Sequence, residues 1–259
     1  MNQSYLIGID IGTSACKVAL FDRSGCVLAA ANGDYPVYYP KEGWAEQNPE
    51  EWWSAVCGAV RQVIEEASVA PEEIAGVGID GQSWSAIAID RNGHVLTNTP
   101  IWMDTRAQSI CDRLNEEIGA EAIFEVAGNS LQPSYATAKI LWYKENLPEV
   151  YAKIDKILQS NSFIAFKLTG AVSQDLSQGY GLHCFDMRTG KWNEAMCEKL
   201  GIPVEFLPEI VPCDHVVGTV TKKAAEECGL AEGTPVVAGG LDAACGTLGA
   251  GVINPGETQ

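Results

Sequence analysis

Four short groups of residues carry side chains able to do chemistry. The first is Asp10, Gly12, Thr13 and Ser14, set between the apolar run Tyr5 to Ile11 and a second run, Ala15 to Asp22. A carboxylate beside a glycine and two hydroxyls at the end of a strand suits a metal-bound phosphate. N–H groups freed at the glycine can cradle phosphate oxygens, and the carboxylate can hold a hydrated Mg²⁺. An ordinary hairpin with polar turn residues reads the same way. The second group is Gln82, Ser83 and Trp84, at the end of the run Ile74 to Ile79. An amide can bond hydroxyls while an indole face packs on C–H groups, as in a sugar site; a core Trp beside a turn glutamine is the plain alternative. The third is Asp104 and Arg106, which either project into a cleft to bind hydroxyls or leave Asp104 as the cap of the next helix. The fourth is Asp242, after Gly239-Gly240 and before a run of small residues. It either caps a helix formed by that run, where a carboxylate is stabilised as the anion, or takes a proton from a hydroxyl that is attacking phosphorus.

The elements that must position these groups follow from periodicity. The opening β-branched run predicts a buried strand, Ala15 to Asp22 a second, and Cys26 to Ala31 a third after an Arg23-Ser24-Gly25 turn. Asn48-Pro49-Glu50-Glu51 is a helix start, with an N-cap Asn, Pro at the first position and Glu at the third. Trp52, Val56, Ala59, Val60 and Val63 then share one face to about Ala67. Ile74 to Ile79 and Ser85 to Ile89 read as strands, the latter closed by an Asp90-Arg91-Asn92-Gly93 turn. From Arg106 to about Phe166 the chain reads mainly helical, with a helix from Ala136 to Glu145 that leaves Lys139 and Lys144 exposed. Thr221 caps a short helix ended by Gly229, Thr234 to Ala238 is a last strand, and Ala243 to Ala250 a last helix. Strands, a helix and further strands predict a mixed α/β sheet. A formal Gly-x-Gly-x-x-Gly at Gly76, Gly78 and Gly81 lies inside a strand and opens no helix, so it is not a dinucleotide fingerprint.

Bulk properties narrow the partners. The 259 residues suffice for one large domain or two small ones. A formal charge of −17 argues against a nucleic-acid backbone or an anionic membrane as partner. Any phosphate must therefore be held by local amides, Mg²⁺ and a few cations. Nine cysteines with no Cys-x-x-Cys pair read as small core residues in a reducing cytoplasm. Met1-Asn2-Gln3-Ser4 has no basic or long apolar character, so no leader is read there, and no apolar run is long enough to span a membrane. His94, His183 and His215 lie far apart and point to no zinc site.

Six motifs in order resemble the N-terminal domain of the FGGY family of carbohydrate kinases, in its xylulokinase-like branch. They are Gly8-Ile9-Asp10-Ile11-Gly12-Thr13-Ser14, Gly43 to Trp53, Gly81-Gln82, Trp102-Met103-Asp104-Thr105-Arg106, Lys167-Leu168-Thr169-Gly170 and Gly239 to Ala244. The resemblance implies a ribonuclease H-like domain of the actin and hexokinase type, its mixed sheet flanked by helices. It implies residues 1–259 as a sugar-binding half, with 252–259 leading toward a C-terminal ATP-binding domain, and an isolated chain without kinase activity. It implies phosphorylation of a ketose by ATP and Mg²⁺. Asp10 would serve the metal, Gly12, Thr13 and Ser14 the ATP phosphates, and Gln82, Ser83, Trp84, Asp104, Arg106 and Asp242 the sugar, with Asp242 as base. A homodimer is left open. An actin-like or chaperone-like ATPase module and a non-catalytic sugar-binding remnant are the rival readings. The chain departs from the branch at Trp84, where xylulokinases show His, and at Met103, where they show Asn; both changes bear on which sugar is used.

Overall fold

The computed structural model describes residues 4–258; Met1–Gln3, part of the stretch read above for a leader, and Gln259 lie outside the described residues. A mixed sheet organises the chain. Its strands are β1 (Tyr5–Ile11), β2 (Ala15–Asp22), β3 (Val27–Asp34), β4 (Ile74–Gly81), β5 (Val216–Thr219) and β6 (Pro235–Val237), in the order β5-β6-β4-β1-β2-β3. A short β7 (Gly240–Leu241) runs parallel to the end of β4. β1 pairs antiparallel with β2 and parallel with β4. β2–β3 are antiparallel as well, so the first three strands form a meander.

Alternation along the strands decides which face is covered. Ile7, Ile9 and Ile11 of β1 and Cys16, Val18 and Leu20 of β2 are buried on one face. There they meet helix α1 (Pro49–Ala67), which packs on β2 and β3, and α3 (Ser160–Thr169), which packs on β4; α2 (Ala136–Asn146) lies elsewhere. Helix α1 matches the sequence expectation in detail. Asn48 accepts from Glu50 N at 3.0 Å, and Trp52, Val56, Ala59, Val60 and Val63 are all buried. Each of the three valines stabilises the packed state by about 1.5–3 kcal/mol. The other sheet face is lined by small residues, Gly8, Ala19 and Gly78 among them. It borders a cleft of about 710 Å³ that also touches Asp10, Asp80, Cys245 and Leu248.

A second hydrophobic cluster gathers Ile110, Leu114, Ile123, Ile140, Leu141 and Phe206 outside the sheet. The strand expected at Ser85 to Ile89 is shortened to Ile87–Ile89 and pairs with Lys156–Leu158, away from the main sheet. Two expectations fail here. The helix after Asp104 begins only at Gln108 with Ala107 as its cap, so Asp104 does not cap it. Lys139 of α2 is fully buried, not exposed, because α2 sits inside this cluster and buries all the way round its first two turns. Lys144 is exposed as expected. Among the described residues no helix is long and apolar enough to cross a membrane.

Candidate active site

The phosphate-type turn is held from behind. Gln47 Nε2 donates to Thr13 O at 2.8 Å, Tyr35 donates from its hydroxyl to Gly12 O at 2.6 Å, and Gln82 Nε2 reaches the same Gly12 O at 3.3 Å. Tyr35 N donates to Ser14 O at 3.3 Å. In a trans peptide the N–H points opposite to the C=O. Carbonyls turned inward at Gly12 and Thr13 therefore turn the N–H groups of Thr13 and Ser14 outward, as an anion cradle needs. The turn is tight: a Cβ on Gly12 would lie 2.9 Å from Ala15 O.

Three carboxylates gather at the same end of the sheet. Asp10 and Asp80 are register partners on β1 and β4, and Gly240 of β7 is the register partner of Asp80. Asp242 follows two residues later as the first residue of α4 (Asp242–Gly249); Leu241 occupies the cap position. The turn into β7 demands glycine, because Gly239 has φ +74° and a Cβ there would collide with the carbonyl of Ile79. Asp10 Oδ2 accepts from Lys17 at 2.8 Å and remains partly exposed. Burial, then the charge of Asp10, pushes the Asp80 carboxyl well above the usual carboxylate range. Asp242 is also raised, by burial first; its bond from Ala243 N opposes this, the Asp10 charge adds to it, and Ser83 holds it down. Asp80 carries little mark in the sequence beyond an Asp-Gly at the end of a strand, and only the pairing of β4 with β1 sets it beside Asp10.

Aromatic side chains wall the space beside Asp242. Trp84 stacks on Tyr135 with ring centroids 4.2 Å apart, and Tyr180 meets both edge-on at 6.1 Å. Trp84 has φ +65°, a left-handed backbone that a bulky residue rarely adopts. Its N–H is held by Gln159 Oε1 at 3.0 Å. Ser83 lies between Tyr180 and Asp242 and interacts with both. Trp102, 42% exposed, donates from its indole N–H to Thr13 Oγ1 at 3.0 Å and so ties the segment after Pro100 to the phosphate-type turn.

The other expected sugar residues are turned inward. Gln82 is buried and bonds Gln47 and Gly12, bracing the turn. Asp104 is 0% exposed and accepts from Ala45 N at 2.7 Å, from Arg106 N at 2.9 Å and from the Arg106 side chain. The Arg106 side chain, 3% exposed, also bonds Glu46 at 2.8 Å and lies 3.9 Å over the Trp44 ring. These two residues clamp the 43–46 segment against 100–106 instead of facing an open cleft. A carboxylate, a hydroxyl and stacked rings beside a phosphate-type turn can bind a polyol and activate one of its hydroxyls.

Comparisons with known proteins agree on one family. The sequence profile of the FGGY family of carbohydrate kinases, N-terminal domain, matches residues 5–249. The xylulose kinase of Bacillus subtilis (strain 168) is 33% identical over 254 residues, covering 98% of this chain and 51% of the relative. The crystal structure of xylulose kinase from Rhodospirillum rubrum superposes with a TM-score of 0.92 at 28% identity, over 97% of this chain and 52% of that one. Gluconate kinase from Lactobacillus acidophilus superposes with a TM-score of 0.90 at 27% identity, over 96% and 50%. The chain spans about half the length of the curated relatives it matches.

Proposed function

We propose, from the premise that this chain belongs to the FGGY family of carbohydrate kinases, that it is the sugar-binding half of an ATP-dependent ketose kinase of xylulose type. The observation that carries this reading is the meeting of Asp242, Ser83 and the Trp84–Tyr135–Tyr180 wall beside the Gly12–Ser14 turn. An actin-like ATPase module needs the turn but has no use for that wall. A non-catalytic remnant needs the wall but has no use for the turn.

The residues present fit ATP and Mg²⁺. The outward N–H groups of Thr13 and Ser14 suit phosphate oxygens. Asp10 offers a part-exposed carboxylate, and among the described residues no three ligating side chains surround one point. Mg²⁺ bound through one carboxylate, phosphates and waters accords with its coordination habits. When bound, Mg·ATP supplies the phosphoryl group and neutralises charge on it. Asp10 would hold that metal. Asp242 takes the proton of the attacking hydroxyl; burial, by raising its affinity for a proton, brings it closer to the operating pH of a base. Ser83 orients Asp242, and the stacked rings exclude water and fix the sugar's C–H face. Asp80, whose proton affinity burial and then the Asp10 charge raise, can share that proton with Asp10.

Calorimetric titration of the chain with the ketoses D-xylulose and D-ribulose, and with D-gluconate as a non-ketose comparison, tests the reading. Enzymes commonly have KM values of about 1 μM–1 mM, so one of the two ketoses should bind in that range. The chain alone should release no ADP from ATP in a sugar-dependent way, because the adenosine site lies in the half that the relatives carry in addition. Absence of any sugar binding up to about 10 mM overturns the sugar assignment, and sugar-dependent turnover by the chain alone overturns the division of labour.

A further inference from the structure

Lys139 is a fully buried cation whose Nζ donates to three backbone carbonyls: Trp84 O at 2.8 Å, Ile101 O at 2.9 Å and Ser134 O at 2.5 Å. An ammonium has three protons, so its donors are all used. The three acceptors come from three separate loops, and each bears on an aromatic residue of the site. Trp84 O belongs to the left-handed Trp84 itself. Ser134 O is the carbonyl just before Tyr135, the ring on which Trp84 stacks. Ile101 O is the carbonyl just before Trp102, which bonds Thr13. With Gln159 on the N–H side of Trp84 and Lys139 on its carbonyl side, both flanking peptides of the strained residue are fixed.

We propose that Lys139 is a positioning residue that registers Trp84, Tyr135 and Trp102 against one another, and through them shapes the sugar site. Its consequence for sugar binding rests on the kinase reading; its control of the three loops does not. The cost of burying a cation is large unless its hydrogen bonds are complete, so a Lys here would be lost readily unless the three carbonyls needed it. Burial pulls the Lys139 ammonium down to about 7; the Asp104 charge opposes this and Arg106 adds to it, while three carbonyl acceptors around one nitrogen select the three-proton form. Asp104 is itself occupied by Ala45 and Arg106, which leaves the carbonyls as the direct partners of the ammonium. A Met has the length of Lys but none of its donors. An Arg retains the charge and more than three donors.

Hydrogen exchange on the wild-type chain and calorimetry on two variants test this. In the wild type, the bonded amides of Trp84, Ile101 and Tyr135 should exchange with opening rates within about tenfold of one another, as one unit. Rates spread over more than about a hundredfold would show three independent loops and overturn the proposal. Lys139→Met should speed all three by at least tenfold and weaken ketose binding by at least tenfold. Lys139→Arg should restore binding to within about threefold. Equal weakening in both variants would mean that packing volume, not donation, matters, and would overturn the proposal. Should wild type bind no ketose, the kinase reading falls while the exchange result still decides the role of Lys139. The wild-type exchange measurement likewise stands if Lys139→Met does not fold.

Discussion

Replacing Asp104 by Ala separates a structural clamp from a sugar contact. The carboxylate is fully buried, and its two oxygens satisfy Ala45 N, Arg106 N and the Arg106 guanidinium. Truncation leaves the Arg106 cation, itself 3% exposed, with Glu46 and the faces of Trp44 and Trp142 as its remaining partners. It also leaves the Ala45 N–H without an acceptor. Removing one partner of a buried ion pair costs about 3–5 kcal/mol, chiefly because the other charge stays buried. The orphaned N–H belongs to the same network, so its ~1–3 kcal/mol is not simply added. A loss of about 3–5 kcal/mol consumes much of a typical 5–15 kcal/mol stability. At about 2–4 °C per kcal/mol for a chain of this size, Tm should fall by roughly 6–20 °C. Urea unfolding followed by Trp fluorescence gives the free energy, and calorimetry on the folded fraction gives ketose affinity. The clamp reasoning requires the stability loss to be the main effect. A loss below about 1 kcal/mol together with abolished sugar binding would refute it and return Asp104 to direct contact with the sugar.

Asp242→Asn, in a protein that also carries the second half, should lower kcat by about 10²–10⁴-fold, the usual worth of a positioned base. Sugar affinity and Tm should change little, and wild-type turnover would remove the base assignment. Trp84→His should reorder kcat/KM among ketoses, because a gained or lost hydrogen-bond partner shifts discrimination strongly; an unchanged ranking would leave Trp84 as mere packing. Asp80→Asn tests the raised carboxyl. A group whose folded pKa lies above its unfolded value of 3.8 contributes stability at low pH that is lost as pH rises through the folded value. The variant should therefore match wild type below about pH 3.8, become steadily the more stable of the two as pH rises from there, and hold a constant lead above about pH 8, as read by urea midpoints at several pH values.

Local signals in the chain were enough for the elements whose causes are local. Asn48-Pro49 starts α1 through a side-chain cap and a fixed φ, and the 3.6-residue spacing of Trp52, Val56, Val60 and Val63 chooses its buried face. The meander of β1 to β3 follows from alternating apolar residues and short polar turns, and Thr221 and Gly229 bound their helix as expected. Asp10 and Asp242 were visible as carboxylates at the edges of regular elements. What tertiary structure alone decided were relations across long separations. Asp80 becomes a member of the site only because β4 pairs with β1 in a register that sets it beside Asp10. Lys139 looked like a solvent-exposed helix residue because its partners, the carbonyls of Trp84 and Ile101, are 55 and 38 positions away in the chain and backbone carbonyls leave no mark in a sequence. Asp104 and Arg106 carry the types of residue that bind a sugar, yet the approach of Ala45 and Glu46 turns them inward. Residue type fixes what a side chain can do; which atoms surround it after folding fixes whether it meets a ligand or another part of the chain.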